Sequence, residues 1–161
     1  MKIAIMGYVG SGKSVLARNL AKKFGIPKLE LDEIAFDLNW KAVDRCKILP
    51  DIQFFMEQDS WIIDGNYEDL LQEQRLEMAD HIIFVMLPRF QCLLRALRRT
   101  KERKAIGYQN DINPWFIRFL LFDCRNRERR KSYNAILNRY RNKCFILKSQ
   151  RDINSFMYSF S

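Results

Sequence analysis

The stretch GYVGSGKS, residues 7–14, constrains the chain more than any other. It follows the apolar run Ile3-Ala4-Ile5-Met6 and precedes a segment in which Val15, Leu16, Leu20 and Phe24 recur near helical spacing, with Gly25 as a C-cap and Pro27 beyond. A strand that passes through a Gly-rich turn into a helix gathers backbone N–H groups at the helix N-terminus, where they converge on one anion. Gly7, Gly12, Lys13 and Ser14 fit G-x-x-x-x-G-K-[ST]. Gly7, Gly10 and Gly12 permit the backbone angles and the close approach, Lys13 reaches β- and γ-phosphates, and the Ser14 hydroxyl ligates Mg²⁺. The expected nucleotide site is therefore Gly7, Gly10, Ser11, Gly12, Lys13, Ser14 and Val15, with ATP and Mg²⁺ as its occupants.

The rest of the pattern suits that loop. Further strands are expected at 28–32 (KLELD), 61–64 (WIID), 81–87 (HIIFVML) and 143–149 (KCFILKS), with helices at about 13–24, 50–58, 68–78 and 89–103. Five strands alternating with helices predict an α/β fold of three layers: a five-stranded parallel sheet flanked by helices, as in P-loop NTPases. Alternation breaks at about 100–142, a basic and helical insertion that reads as a lid, with Pro114 suited to a helix first turn after Asn113.

With 161 residues, the expectation is a single domain over 1–161. No apolar stretch approaches the roughly 18 residues that span a bilayer, and no basic leader precedes the first strand, so a cytoplasmic location and no membrane partner are expected. Cys46, Cys92, Cys124 and Cys144 form no CxxC pair and His81 has no cysteine close in sequence, which points to neither a zinc site nor a disulfide framework.

Charge is uneven. Residues 89–131 hold 13 of the 28 Lys/Arg and 4 of the 19 Asp/Glu, so this segment carries the whole +9 excess of the chain. Such a local field implies an anionic partner, the phosphates of a nucleotide or of a nucleic acid.

In an open parallel sheet, ligands lie beyond the carboxyl ends of the strands. The residues expected there are Asp32 after the second strand and Asp64-Gly65-Asn66-Tyr67 after the third. Asp64 is a candidate to hold Mg²⁺ with Ser14; Asp32 is a candidate to orient or deprotonate an acceptor hydroxyl. A plain turn or helix-cap role is the competing reading for each.

The P-loop, LELDEIAFDLNW with its Asp and later Trp, WIIDGNY, ADHIIFVMLPR and the Arg-rich stretch after it resemble the small P-loop kinases related to adenylate kinase. Among these, the chain is most similar to the group called topology modulation proteins. The likeness runs from Met1 to about Ser149. It implies a five-stranded parallel core, an acceptor region after the second strand and an arginine-bearing lid. By resemblance, Asp64-Gly65 matches an Asp-Gly near Mg²⁺, Arg99 matches an arginine near ATP, and Ser149-Gln150-Arg151 falls where those kinases contact adenine. The chain departs from the pattern twice: DGNYED lacks the arginine that grips an acceptor monophosphate, and Met86 stands where relatives often carry an acidic residue, so Asp64 serves the metal alone.

Of the lid arginines Arg99, Arg103, Arg125, Arg127, Arg129 and Arg130, most are expected at the surface. Arg99 and Arg127, with Lys13 and Asp32, are taken as the catalytic set. Between them, NPWFIRFLLF (113–122) is too apolar for a bare helix and must be covered by the core, a lid helix, a second copy or an apolar substrate. The expected function is an ATP-dependent phosphotransferase for a small hydroxyl- or phosphate-bearing acceptor, as a monomer or homodimer. A nucleotide-dependent nucleic-acid binder, with non-specific contact through the basic segment, and a P-loop switch without a small substrate are the alternatives.

Overall fold

The computed structural model describes residues 1–37, 41–105 and 113–160. Trp40 of the quoted kinase motif, the Arg103 side chain and residues 106–112 of the expected lid lie outside what it describes.

The first strand, β1 (Lys2–Gly7), and the helix after the Gly-rich loop, α1 (Lys13–Phe24), stand where the sequence puts them. Gly25 closes α1 at φ +65°, a left-handed angle that its lack of a Cβ allows. α1 buries Leu16, Ala17 and Leu20, whereas Val15, counted with the apolar face from sequence, is exposed. Each residue turns the helix by about 100°, so Ala17, not Val15, completes the stripe with Leu16 and Leu20.

β2 (Lys28–Glu30) is shorter than expected, because Leu31 and Asp32 already belong to a short helix, α2 (Leu31–Ala35). Asp32 is thus a first-turn helix residue and not the end of a strand. α3 (Arg45–Met56) starts five residues before the expected position, at an Asp44 cap whose side chain accepts from the Cys46 amide, and runs through Pro50. β3 (Trp61–Asp64) is as expected. α4 (Gln72–Met78) starts four residues late, because Leu71 at φ 55° interrupts helical geometry ahead of it.

β4 (His81–Val85) stops short of 87, at the approach to Pro88. α5 (Arg89–Ala105), α6 (Pro114–Leu121), a 3₁₀ turn at Asp123–Arg125 and α7 (Arg127–Arg139) follow. As expected, Pro114 opens α6 after Asn113, whose side chain caps the Phe116 amide at 2.8 Å. β5 (Cys144–Leu147) ends early because Ser149 begins a capping box with Asp152 and starts α8 (Gln150–Ser159), a helix that the sequence reading lacks.

The five strands form one parallel sheet in the order β2-β3-β1-β4-β5, flanked by helices. β1 pairs with β3 from Lys2–Trp61 to Ile5–Asp64, and β2 pairs with β3 from Lys28–Ile62 to Glu30–Asp64. Ile3, Ala4 and Ile5 of β1 and Ile82 to Val85 of β4 are fully buried, as continuous apolar runs are when helices cover both faces of a sheet. The strand order reverses at β1, so the Gly-rich loop leaves the sheet at its topological switch point.

The chain divides into two compact units. One comprises residues 1–7, 13–84 and 143–145; the other comprises 8–12, 85–142 and 146–161.

Candidate active site

In the first unit the loop is anchored from β1 and opens into α1. Gly7 sits at φ 147°, and Asn66 grips it from both sides: the Gly7 amide donates to Asn66 Oδ1 at 3.0 Å, and Asn66 Nδ2 donates to the Gly7 carbonyl at 2.6 Å. A side chain that satisfies both backbone groups of one residue fixes the plane in which the loop departs. The Ser14 hydroxyl donates to Asp64 Oδ2 at 2.6 Å. Asp64 is buried, and its Oδ1 has no hydrogen-bond partner among the described residues.

Burial pushes the Asp64 carboxyl above the usual carboxylate range, while the Lys13 ammonium and the Ser14 hydrogen bond pull it back. A buried carboxylate with one orphaned oxygen, beside a serine hydroxyl and near a lysine, has the donor set that a magnesium ion with phosphate oxygens requires. Among the described residues no group of three His, Cys, Asp or Glu could hold a metal unaided, so the remaining ligands would come from nucleotide and water.

The turn that carries Asp64 is itself fixed by Arg75 of α4. This fully buried guanidinium donates to the carbonyls of Leu70 at 2.8 Å, Tyr67 at 2.8 Å and Gly65 at 3.4 Å. Loss of hydration lowers its pKa to about 10, and the nearby Asp64 charge favours the cation. Gly65, at φ +149°, leaves no room for a Cβ, which would come within 2.8 Å of Leu31 Cβ. Arg75→Ala should lower unfolding free energy by about 3 kcal/mol, through three carbonyls left short of a donor and the cavity left behind. Denaturant titration measures it; a loss under about 1 kcal/mol would show that water replaces the guanidinium without cost.

Asp32 is exposed on α2, and the Tyr67 hydroxyl donates to its Oδ1 at 2.5 Å. Burial and the Asp32 charge both raise the Tyr67 pKa, so the phenol stays protonated and keeps donating. The Phe36 ring lies 6.4 Å from the Tyr67 ring, and the Arg45 guanidinium lies 5.7 Å over it while bonding Asp69 at 2.6 Å. The expected acceptor region thus has a carboxylate, two aromatic rings and a guanidinium in one neighbourhood.

In the second unit the loop residues 8–12 rest on α5. A Cβ on Gly10, at φ +73°, would stand 2.7 Å from the Cys92 carbonyl oxygen, a backbone atom that cannot step aside. A Cβ on Gly12, at φ +90°, would meet Arg95 Nη1 at 2.7 Å. Arg95 Nη1 donates to the Ser11 carbonyl at 2.6 Å, and its Nη2 donates to Gln150 Oε1. Ser11 is buried; its amide closes a turn onto the Tyr8 carbonyl at 3.2 Å, and its hydroxyl has no partner among the described residues.

Gln150 and Arg151 occupy the first turn of α8 rather than a loop, and Arg151 is exposed. Arg99 and Arg127 are exposed, as are Arg129 and Arg130. Arg125 is the exception to the surface expectation. It is buried, its Nη2 donates to the Leu87 carbonyl at 2.6 Å and to Cys92 Sγ at 3.2 Å, and its guanidinium stacks 3.9 Å over the Tyr8 ring. The Tyr133 ring stands 5.6 Å from Tyr8 on the loop. Val15 has no part in this packing: it faces solvent.

Sequence reasoning placed Asn66 at the end of the third strand without a role, and missed Arg75, Arg95 and Arg125 as site-building residues. Arg95 had a legible signal. It lies one helical turn before Arg99 on the same face of α5, so periodicity alone could not rank the two. Arg75 and Arg125 offered none, since a charged residue reads as solvated until the carbonyls it meets are known.

Three solved structures share this fold. A deoxyadenosine kinase from M. mycoides, with dCMP and dCDP bound, aligns at a TM-score of 0.59 and 17% identity over 98% of this chain and 95% of that one. A shikimate kinase from Acinetobacter baumannii, in complex with shikimate, aligns at 0.56 and 16% over 98% and 88%. A gluconokinase from Sinorhizobium meliloti aligns at 0.56 and 15% over 98% and 91%. The chain has the fold of these P-loop kinases. No protein-family profile matches its sequence, and no curated protein does.

Proposed function

We propose that the chain is an ATP-dependent phosphotransferase acting on a small hydroxyl- or phosphate-bearing acceptor, a single kinase-like domain akin to adenylate kinases and to the topology modulation group. The observation that carries this reading is the Ser14–Asp64 hydrogen bond of 2.6 Å immediately after Lys13 at the N-terminus of α1. It joins a phosphate-binding loop to a buried carboxylate with an unused oxygen. That the neighbouring folds are kinases for a nucleoside, shikimate and gluconate supports the reaction class.

In this reading Ser14 and Asp64 hold Mg²⁺, which when bound neutralises charge on the nucleotide phosphates. The amides from Gly7 to Ser14 and the Lys13 ammonium bind and orient the triphosphate. Tyr67 holds the Asp32 carboxylate in place to accept a proton from the acceptor hydroxyl. Arg99 and Arg127 are the candidate cations for the transferred phosphoryl group, and Arg95 supports the loop through the Ser11 carbonyl. Gln150 holds Arg95 as well as marking the expected adenine contact.

A screen for ATP-dependent phosphorylation of nucleosides, sugars and other hydroxylated or phosphorylated metabolites tests the proposal. One acceptor class is expected to be phosphorylated, with loss of product on omission of Mg²⁺. If the chain binds Mg·ATP yet phosphorylates nothing in such a panel, the transferase reading falls and the nucleotide-dependent switch replaces it.

A further inference from the structure

The helix 113–122 expected to be covered is covered on one side only. Leu120 is buried, but Trp115 and Phe122 are 67% and 58% exposed. Trp115 and Phe119 are spaced i, i+4 and stack at 5.7 Å, with Phe119 half-buried, and Phe122 stands at the C-cap of α6. α5 repeats the pattern. Phe90, Leu94 and Leu97 are spaced i, i+4, i+7 and are 73%, 65% and 42% exposed. α5 packs on α6, and the Arg89 guanidinium lies 5.7 Å over the Phe122 ring.

Scattered apolar residues at a surface are ordinary, but two packed helices that each expose several large ones are not. Their setting is cationic. The segment 89–131 holds the chain's entire +9 excess, and Arg118, on the Trp115 side of α6, is 75% exposed at its side chain although Asp123 Oδ2 lies 3.8 Å from its Nε.

Three occupants compete for this face. A second copy using the same face would bring one +9 segment against another, which opposes association. A polynucleotide would satisfy the arginines and stack on Trp115 but gains nothing from Leu94 and Leu97, which have no π-face. A bilayer with anionic headgroups satisfies both halves: Trp, Phe and Leu enter the headgroup boundary while Arg and Lys stay at the phosphate level. We infer that the α5–α6 face docks the protein peripherally on an anionic lipid surface. The expectation of no membrane partner rested on the lack of a spanning stretch, and among the described residues no helix is long and apolar enough to span; docking of this kind needs none.

Sedimentation of the full chain with vesicles tests this, using phosphatidylcholine alone or mixed with phosphatidylglycerol at about one part in three. Binding to the mixed vesicles should be at least about tenfold stronger than to phosphatidylcholine and should fall with added salt. The triple variant Phe90→Ser, Leu94→Ser, Trp115→Ser should lose about tenfold of it, with unfolding temperature and Mg·ATP affinity retained because all three side chains are solvent-exposed. Should the triple variant misfold, Arg118→Glu decides instead: it should weaken binding to the mixed vesicles about fivefold and leave binding to phosphatidylcholine unchanged. The inference is overturned by absent or equal binding to the two vesicle types, or by triple-variant binding equal to the parent's. It is equally overturned if the folded triple variant loses only an oligonucleotide complex or a concentration-dependent dimer.

Discussion

Lys13→Ala is expected to lower Mg·ATP affinity and turnover together by about a thousandfold while moving the unfolding temperature little. Lys13 is the first residue of α1, partly exposed, with its charge felt at Asp64. It has no place in the buried stripe of Leu16, Ala17 and Leu20 that docks the helix. Its removal therefore takes away the ammonium that would neutralise the phosphates, with no loss of packing. Calorimetric titration with Mg·ATP reads the first quantity and thermal unfolding the second. Parent-like affinity in a folded variant would mean that the Gly-rich turn is not a nucleotide site, and every step built on it would go.

The two carboxylates should separate. Asp64→Asn is expected to cut both background ATP hydrolysis and transfer by about a hundredfold and to weaken their dependence on Mg²⁺, because Asp64 acts whether or not an acceptor is bound. The same variant should be somewhat more stable than the parent at neutral pH. Burial raises the folded-state pKa of Asp64 above its unfolded value, so its contribution is most favourable at low pH and is lost as pH rises through the raised value. A neutral amide escapes that loss. Asp32→Asn should leave Mg·ATP affinity and background hydrolysis near normal but reduce acceptor phosphorylation by about a hundredfold, the scale of a lost general base. Exposure on α2, with the Tyr67 hydroxyl as its partner, puts Asp32 in surroundings unlike those of Asp64. If Asp32→Asn lowers ATP affinity as much as Asp64→Asn does, both belong to the metal site; if it changes nothing, Tyr67 holds no more than a turn.

What local chemistry dictates was legible in the chain. A β1 of unbroken apolar residues, glycines at left-handed or strained φ and a helix opened by Lys13-Ser14 are properties of neighbouring residues, and each could be read without the fold. So could the alternation that predicts a parallel sheet, and the confinement of excess charge to residues 89–131. Boundaries failed where a side chain competes with the ladder. Asp44 and Ser149 cap helices by bonding nearby amides, while strand propensity scores only the apolar run.

Tertiary structure alone decided which side chains complete the site. Asn66 reaches Gly7 across 59 positions and Arg95 reaches Ser11 across 84, whereas the Ser14–Asp64 pair was already expected from the strand ends. Spacing along the chain holds no information about such pairs, because their geometry exists only once the sheet has set the strand order. Arg75 and Arg125 make the same point through energy: a guanidinium is costly to bury unless carbonyls await it, and those carbonyls belong to turns that the folded chain creates. The exposure of Trp115 and Phe122 was hidden for the converse reason. Hydrophobicity says that a side chain gains by leaving water, but whether a partner surface lies within reach is settled by packing, and here Trp115 and Phe122 stay mostly exposed.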